Sequence, residues 1–231
     1  MSRPLLPDQH TPEPARPRGK RTGGLLLRRL ALALALDFPA YALALPSGEQ
    51  ISAGSGDIGR SGSTLTVTQT SPKLALNWQG FNIGQGETVN FNQPSSSAIA
   101  LNRVLGQDPS QILGNLNANG QVFVLNPNGV LFGRTAQVNV GGLVASSLNM
   151  SNADLMAGNY TFSNSGAAGS VVNQGALTAA NGGYIALLAP EVRNEGVIIA
   201  TLGIALLAAG DKVTLNSTTA PCFPMPLIKA R

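Results

Sequence analysis

Histidine and cysteine are almost missing: His10 is the only histidine and Cys222 the only cysteine in 231 residues. Both lie outside residues 45–216, the bulk of the chain. That stretch has no imidazole for a His-dependent triad, no thiol nucleophile and no His/Cys metal set. A single cysteine also excludes an intrachain disulfide, so stability rests on burial and backbone hydrogen bonds. Charged residues make up 11% and aromatics 5%, and Trp78 is the only tryptophan available to stack on a base. The formal charge of +4 belongs to the amino-terminal stretch, where seven basic residues (Arg3, Arg16, Arg18, Lys20, Arg21, Arg28, Arg29) face three acids (Asp8, Glu13, Asp37). From Leu45 onward eight basic residues face eight acidic ones. That distribution argues against nucleic-acid binding, and no nucleic-acid partner is expected.

Long hydrophobic runs are missing too. Residues 1–24 are rich in proline and arginine with no apolar period, the composition of a disordered segment. The longest apolar stretch, Leu25 to Leu36, is broken by Arg28 and Arg29 and followed by Asp37 and Pro39. It falls short of the roughly 18–20 residues of a membrane span. Basic residues, a short apolar run and Ala42-Leu43-Ala44 are the three parts of a secretory signal, with cleavage between Ala44 and Leu45. Residues 1–44 are thus an extended signal peptide, or a signal behind an early start codon.

What is present favours strands and turns: Gly, Asn, Ser, Thr, Ala, Val and Leu dominate from Leu45 onward. Gly54-Ser55-Gly56-Asp57-Ile58-Gly59 matches G-x-G-x-x-G, but Thr64 to Thr70 then alternates with strand period instead of opening a helix. These glycines are read as loop residues and no cofactor is assigned. Strand candidates follow at Leu74–Asn77, Phe81–Ile83, Thr88–Phe91 and Ala98–Val104, separated by Gly, Asn, Pro and Ser clusters. Asp108 as a cap and Pro109 at the first position predict a short helical turn over 108–113.

From Val171 the chain repeats. Asn173-Gln174-Gly175 recurs as Asn194-Glu195-Gly196, 21 residues on, and Ile185-Ala186-Leu187-Leu188-Ala189 as Ile204-Ala205-Leu206-Leu207-Ala208, 19 on. A period near 20 with β residues and Gly/Asn corners is the signature of a β-solenoid. Stacked turns would set Asn173 over Asn194 in a hydrogen-bonded ladder. After Asn216 the period stops. Residues 217–231, with Pro221, Pro224 and Pro226, read as a non-repeat tail, either a cap, for which Phe223, Met225, Leu227 and Ile228 are poor material, or the end of a truncated or frame-shifted sequence.

The central stretch is Gln121 to Gly133, two continuously apolar runs joined by Asn126-Pro127-Asn128-Gly129. Continuous rather than alternating apolarity predicts strands covered on both faces. Pro127 sets φ at the second turn position, and Asn128 and Gly129 are read as the positive-φ residues, with Asn126 bonded to its own turn. In order, Ala100-Leu101-Asn102-Arg103-Val104, Asp108 to Gly114, Asn119 to Phe123, Asn126 to Val130 and Val138 to Ser146 resemble the secretion domain of the filamentous haemagglutinin and high-molecular-weight adhesin family. These are the exported partners of two-partner secretion systems. The resemblance runs from about Leu45 to Asn216. Filamentous haemagglutinin has an earlier Asn-Pro-Asn-Leu element that this chain lacks, which places the resemblance with the adhesin branch.

The resemblance implies an all-β fold, a right-handed parallel β-helix with an amino-terminal β cap. It also implies export across the inner membrane, an outer-membrane β-barrel transporter that binds the chain through periplasmic domains, and folding outside the cell. The protein would then be secreted or held on the cell surface, with any host ligand unspecified. The implied secretion motif is Asn102, Arg103, Asn126, Pro127, Asn128 and Gly129. A non-functional adhesin fragment is the alternative raised by the tail. A polysaccharide-acting β-helix enzyme is a distant one, because the eight acids (Glu49, Asp57, Glu87, Asp108, Asp154, Glu191, Glu195, Asp211) form no clustered pair. No catalytic, cofactor or metal residue is assigned. Intact-mass measurement of the exported chain should find Leu45 at its amino terminus; an unprocessed terminus on exported material would exclude the signal reading.

Overall fold

A computed structural model describes residues 44–164, 166, 169–220 and 223–230. The signal-peptide reading, apart from Ala44, lies outside these residues, as does Cys222.

The chain enters through β1 (Gln50–Ala53), β2 (Gly56–Ser61) and β3 (Thr64–Gln69), then winds through β4 (Lys73–Trp78), β5 (Thr88–Asn92), β6 (Ile99–Val104), β7 (Ser110–Ile112) and β8 (Asn115–Ala118). It continues as β9 (Gln121–Leu125), β10 (Val130–Phe132), β11 (Gln137–Val140) and β12 (Gly142–Ser146). There α1 (Asn152–Ala157) and β13 (Tyr160–Ser163) leave the coil. Winding resumes with β14 (Ser170–Asn173), β15 (Ala176–Ala179), β16 (Tyr184–Ala189), β17 (Glu191–Asn194), β18 (Val197–Ala200) and β19 (Ile204–Ala209). The last elements are β20 (Lys212–Ala220) and β21 (Phe223–Ala230).

Three sheets form the walls. The first holds β4, β6, β9, β12, β16 and β19 in parallel, the second β7, β10, β14 and β17, and the third β3, β5, β8, β11, β15 and β18. The chain visits the three in rotation, so each circuit stacks on the last. This is the expected parallel β-helix. Its amino end is closed by β strands, because β1 lies antiparallel on β4 and β2 antiparallel on β3.

Two cores explain the sequence pattern. Val122 and Val124 of β9 point into the coil with Leu76, Leu143, Ile185 and Leu187. Phe123 and Leu125, the alternate residues, point outward and are also buried, with Ile99, Leu101, Leu155 and Phe162. The outward core exists because residues 147–164 fold back over the first sheet. Phe123 meets Tyr160 edge-on at a centroid distance of 5.9 Å and Phe162 at 6.2 Å. Val122 to Leu125 of β9 are therefore apolar at every position because neither face meets water.

Several local expectations differ from the structure. Residues 110–112 are a strand, not a helical turn: β7 pairs in register with β10, and this ladder outweighs the capping preference of Asp108 and Pro109. Phe81–Ile83 forms no strand and contributes one bridge, Ile83 to Ile112. Gly56 and Gly59 lie in β2 rather than a loop. The 21-residue repeat holds, with Asn173 opposite Asn194 and Ala176 opposite Val197. The 19-residue repeat does not, since Ile185 pairs with Ala205. The loop before β16 is residues 180–183 and the loop before β19 only 201–203. That single deletion takes the offset from 21 to 20, and a slip of one more would turn inward residues out. Past Asn216 the chain is paired: β20 runs antiparallel to β13 and to β21, outside the parallel ladder.

Phe123→Ala should cost about 3–5 kcal/mol in urea unfolding and speed amide exchange over residues 148–163. Unchanged exchange there would show that the folded-back segment is held without this ring.

Candidate functional site

The resembled motif falls on two adjacent circuits. Asn102 and Arg103 lie in β6, and Arg103 sits opposite Leu125, the residue before the Asn126–Gly129 corner. Circuit stacking thus brings together segments more than 20 residues apart, but their side chains take three directions.

Asn102 points inward and is 0% exposed, in the row that otherwise carries Leu76 and Val124. Its Oδ1 accepts from Trp78 Nε1 at 3.0 Å, and its Nδ2 donates to Ala100 O at 3.2 Å and Phe123 O at 3.3 Å. A buried indole N–H needs an acceptor, and this amide supplies one while filling its own donors.

Arg103 points outward onto the folded-back segment. Its Nε donates to Asn149 Oδ1 at 3.1 Å, Nη1 to Asn77 Oδ1 at 3.2 Å and Asn152 Oδ1 at 2.9 Å, and Nη2 to Met150 O. Burial pulls its pKa below the ordinary arginine value. The guanidinium borders a cleft of about 550 Å³ with Asn152, Asp154, Thr161 and Ser163 on its walls. Lys73, not singled out by sequence, completes the clamp. Its Nζ donates to Leu155 O at 2.8 Å and Met156 O at 3.0 Å in the last turn of α1, where Leu155 O also accepts from Gly158 N at 3.1 Å. The helix was equally unforeseen, although Ser151 accepts from Asp154 N at 3.0 Å as its cap and Gly158 ends it at φ 80°.

The Asn126–Gly129 corner is a hydrogen-bonded turn in which Gly129 N donates to Asn126 O at 2.9 Å. Asn126 is fully buried and ties three circuits. Its Oδ1 accepts from Asn128 N at 3.0 Å, as expected of an Asn bonded to its own turn. Its Nδ2 reaches back to Asp108 O at 2.9 Å and Ser110 Oγ at 3.0 Å. Its backbone N donates forward to Ser146 O at 2.9 Å. Asn128 Nδ2 adds Gly106 O at 2.9 Å, and Pro127 O accepts from Gly169 N at 3.1 Å.

One expectation about this corner is corrected. Asn128 does not take positive φ; among the described non-glycine residues only Leu202 does, and Gly129 carries the positive φ at 111°. Pro127 and Asn128 occupy a turn that needs no left-handed residue before its last position, so Gly129 alone takes that role. A Cβ on Gly129 would also stand 2.8 Å from Ser170 O of the next circuit.

Equivalent polar stitches recur at other corners. Gln93 Nε2 donates to Gln69 Oε1 at 3.0 Å, Ala98 O at 3.0 Å and Gln121 O at 3.2 Å. Asn173 Nδ2 donates to Asn194 Oδ1 at 2.8 Å, the expected ladder. Buried amides at corners are therefore a building rule here, and Gln93, whose Oε1 also accepts from Gly120 N at 3.0 Å, ties neighbouring circuits as fully as Asn126 does. Among the described residues no cluster of His, Cys, Asp and Glu has metal-binding geometry.

The sequence family described as TPS secretion domain matches residues 42–224. A heme/hemopexin-binding protein of Haemophilus influenzae is 40% identical over 111 residues, 48% of this chain and 12% of that protein. A second Haemophilus influenzae protein of the same description is 42% identical over 98 residues, 42% of this chain and 11% of its own length. The chain thus matches a small part of these relatives. The crystal structure of the HMW1 secretion domain from Haemophilus influenzae superimposes with a TM-score of 0.71 at 33% identity, over 80% of this chain and 48% of that one.

Urea unfolding should show Asn126→Ala costing about 1–3 kcal/mol, since it strips buried partners on two circuits. Gly129→Ala should cost a similar amount through φ strain and contact with Ser170. Asn128→Val should be milder than either, and a larger loss there than at Gly129 would contradict the turn geometry.

Proposed function

Starting from the fact that this chain belongs to the TPS secretion domain family, we propose that it commits a two-partner exoprotein to an outer-membrane transporter and then nucleates folding beyond it. The chain would reach the periplasm by its signal and meet the transporter's periplasmic domains unfolded. Asn102, Arg103 and the Asn126–Gly129 corner would be presented at that stage.

The observation that carries this reading is burial. Asn102 and Asn126 are both 0% exposed, so a transporter can contact their side chains only before the coil closes. Recognition and folding then use the same amides in exclusive states. Once Asn126 has bonded Asp108 and Ser110, the segment no longer offers what the transporter bound. Folding outside the cell removes the ligand from its receptor and makes the step directional. A scarcity of cysteine helps, because no disulfide can fix the chain early. A role for Asn126 in folding alone is the competing account, since its three-circuit stitch stabilises the nucleus by itself.

The test compares Asn126→Ala with Gln93→Ala, a buried corner amide outside the motif, in secretion through a matched transporter, with urea unfolding of both chains. On the proposal, Asn126→Ala cuts secretion several-fold more than Gln93→Ala once the two are compared at equal stability loss. Equal secretion of the two at equal stability would leave only the folding role.

A further inference from the structure

Glu87 lies in the turn that opens β5, at the amino-terminal end of the coil, and is 3% exposed. Its Oε2 accepts from Gly84 N at 2.6 Å and closes its own turn. Its Oε1 accepts from Ala44 N at 2.8 Å. The ion pairs among the described residues are Arg60–Glu49, Arg193–Glu191 and Arg193–Glu195, so no described cation pairs with this carboxylate. A buried carboxylate held by two neutral N–H groups is matched far better by a cationic donor. Its contact falls on Ala44, where the signal sequence ends.

We propose that Glu87 is a receptor site for a primary ammonium, the α-amine that Leu45 gains when the signal is removed. The proposal rests on the reading that cleavage falls at Ala44–Leu45. Hydrolysis of that bond by the export peptidase adds one water, leaving a carboxylate on Ala44 and an amine on Leu45 that is protonated near neutral pH. Departure of Ala44 takes away the donor at Oε1 inside a site that water scarcely reaches. The new ammonium stands one residue along, about 3.8 Å by Cα spacing. Its surroundings hold it there. The Leu45 side chain packs against the inner core, Pro46 O accepts from Arg60 Nη2 at 2.7 Å, and Ser47 N donates to Gly80 O at 2.9 Å. Only the main chain of Leu45 has latitude to turn toward Glu87. Of the charged groups on the cap strands and the segment leading into them, Arg60 and Glu49 pair at 2.6 Å and Asp57 lies farther along β2 opposite Thr68, so the cap's cation is already engaged and the ammonium and Glu87 answer one another. Removal of the signal thereby exchanges a neutral donor for a charged one and seals the cap of the first circuit.

The test is a cycle of four chains: starting at Leu45 or at Leu43, each with Glu87 or with Glu87→Gln. Starting at Leu43 moves the ammonium two residues away and keeps the Ala44 amide. Glu87→Gln should raise the unfolding equilibrium constant at least tenfold more in the Leu45 chain than in the Leu43 chain. In the Leu45 chain the α-amine, followed by NMR, should titrate above its ordinary value and return to it in Glu87→Gln. An equal cost in both chains, or an α-amine unmoved by Glu87→Gln, would overturn the proposal. So would an exported chain beginning elsewhere than Leu45, and none of these results would touch the transporter reading.

Discussion

Each interior strand of the walls draws its backbone partners from the circuits before and after it, and this constraint governs the rest of the structure. A parallel ladder has no local hairpin to start it, so each new circuit is specified by the edge of the last. Straight walls manage this with backbone bonds alone. Corners cannot, because the main chain turns away from its neighbours and leaves polar groups facing inward. The molecule meets that shortfall with amides. Asn126, Gln93 and Asn173 each bond to a neighbouring circuit, and each offers donors and an acceptor without a charge to desolvate. A carboxylate or ammonium at these positions would need a paired partner at every level.

The first sheet adds a second demand. Its outward face carries Phe123, Leu125, Ile99 and Leu101, too much apolar surface to leave in water. Residues 147–164 answer it by leaving the coil before winding resumes at β14, which makes the register jump from Leu143 to Ile185 twice the ordinary step. Arg103 and Lys73 hold this segment through its carbonyls and amides rather than through carboxylates. Arg103 accordingly belongs to the closure of an outer layer, whereas Asn102, its neighbour in sequence, belongs to the inner one.

What was legible in the sequence follows the same physics. The solenoid was legible because stacked corners repeat the same solution, so Asn173 and Asn194 announced each other. The two-sided burial of β9 was legible because alternation was missing. The covering segment was not, since among the described residues its helix is the single one and no second copy of it repeats along the chain. The last register was missed because two similar Ile-Ala-Leu-Leu-Ala strings align best at 19 while the loop between them fixes 20. At the central corner positive φ was legible for Asn128 and Gly129 alike, because Asn and Gly share that tolerance, and only the turn geometry leaves it to Gly129. Glu87 gave no signal at all. Its partner is a main-chain N–H 43 residues away, and backbone atoms leave no trace in composition.

The circuit length also sets a mechanical ratio. From Val122 to Leu143 the chain advances one rung in 21 residues. Those residues, drawn out, reach roughly 70 Å, while the rung adds only about 4.8 Å along the axis. Winding such a coil takes up thread about fifteen times faster than the spool lengthens. A device of that kind works with long stroke and little force: it gathers slack readily but stalls against a modest grip. On the export route proposed above, a pore whose hold on the thread exceeds the free energy of one circuit would stop the spool, and one that holds less would be emptied a circuit at a time.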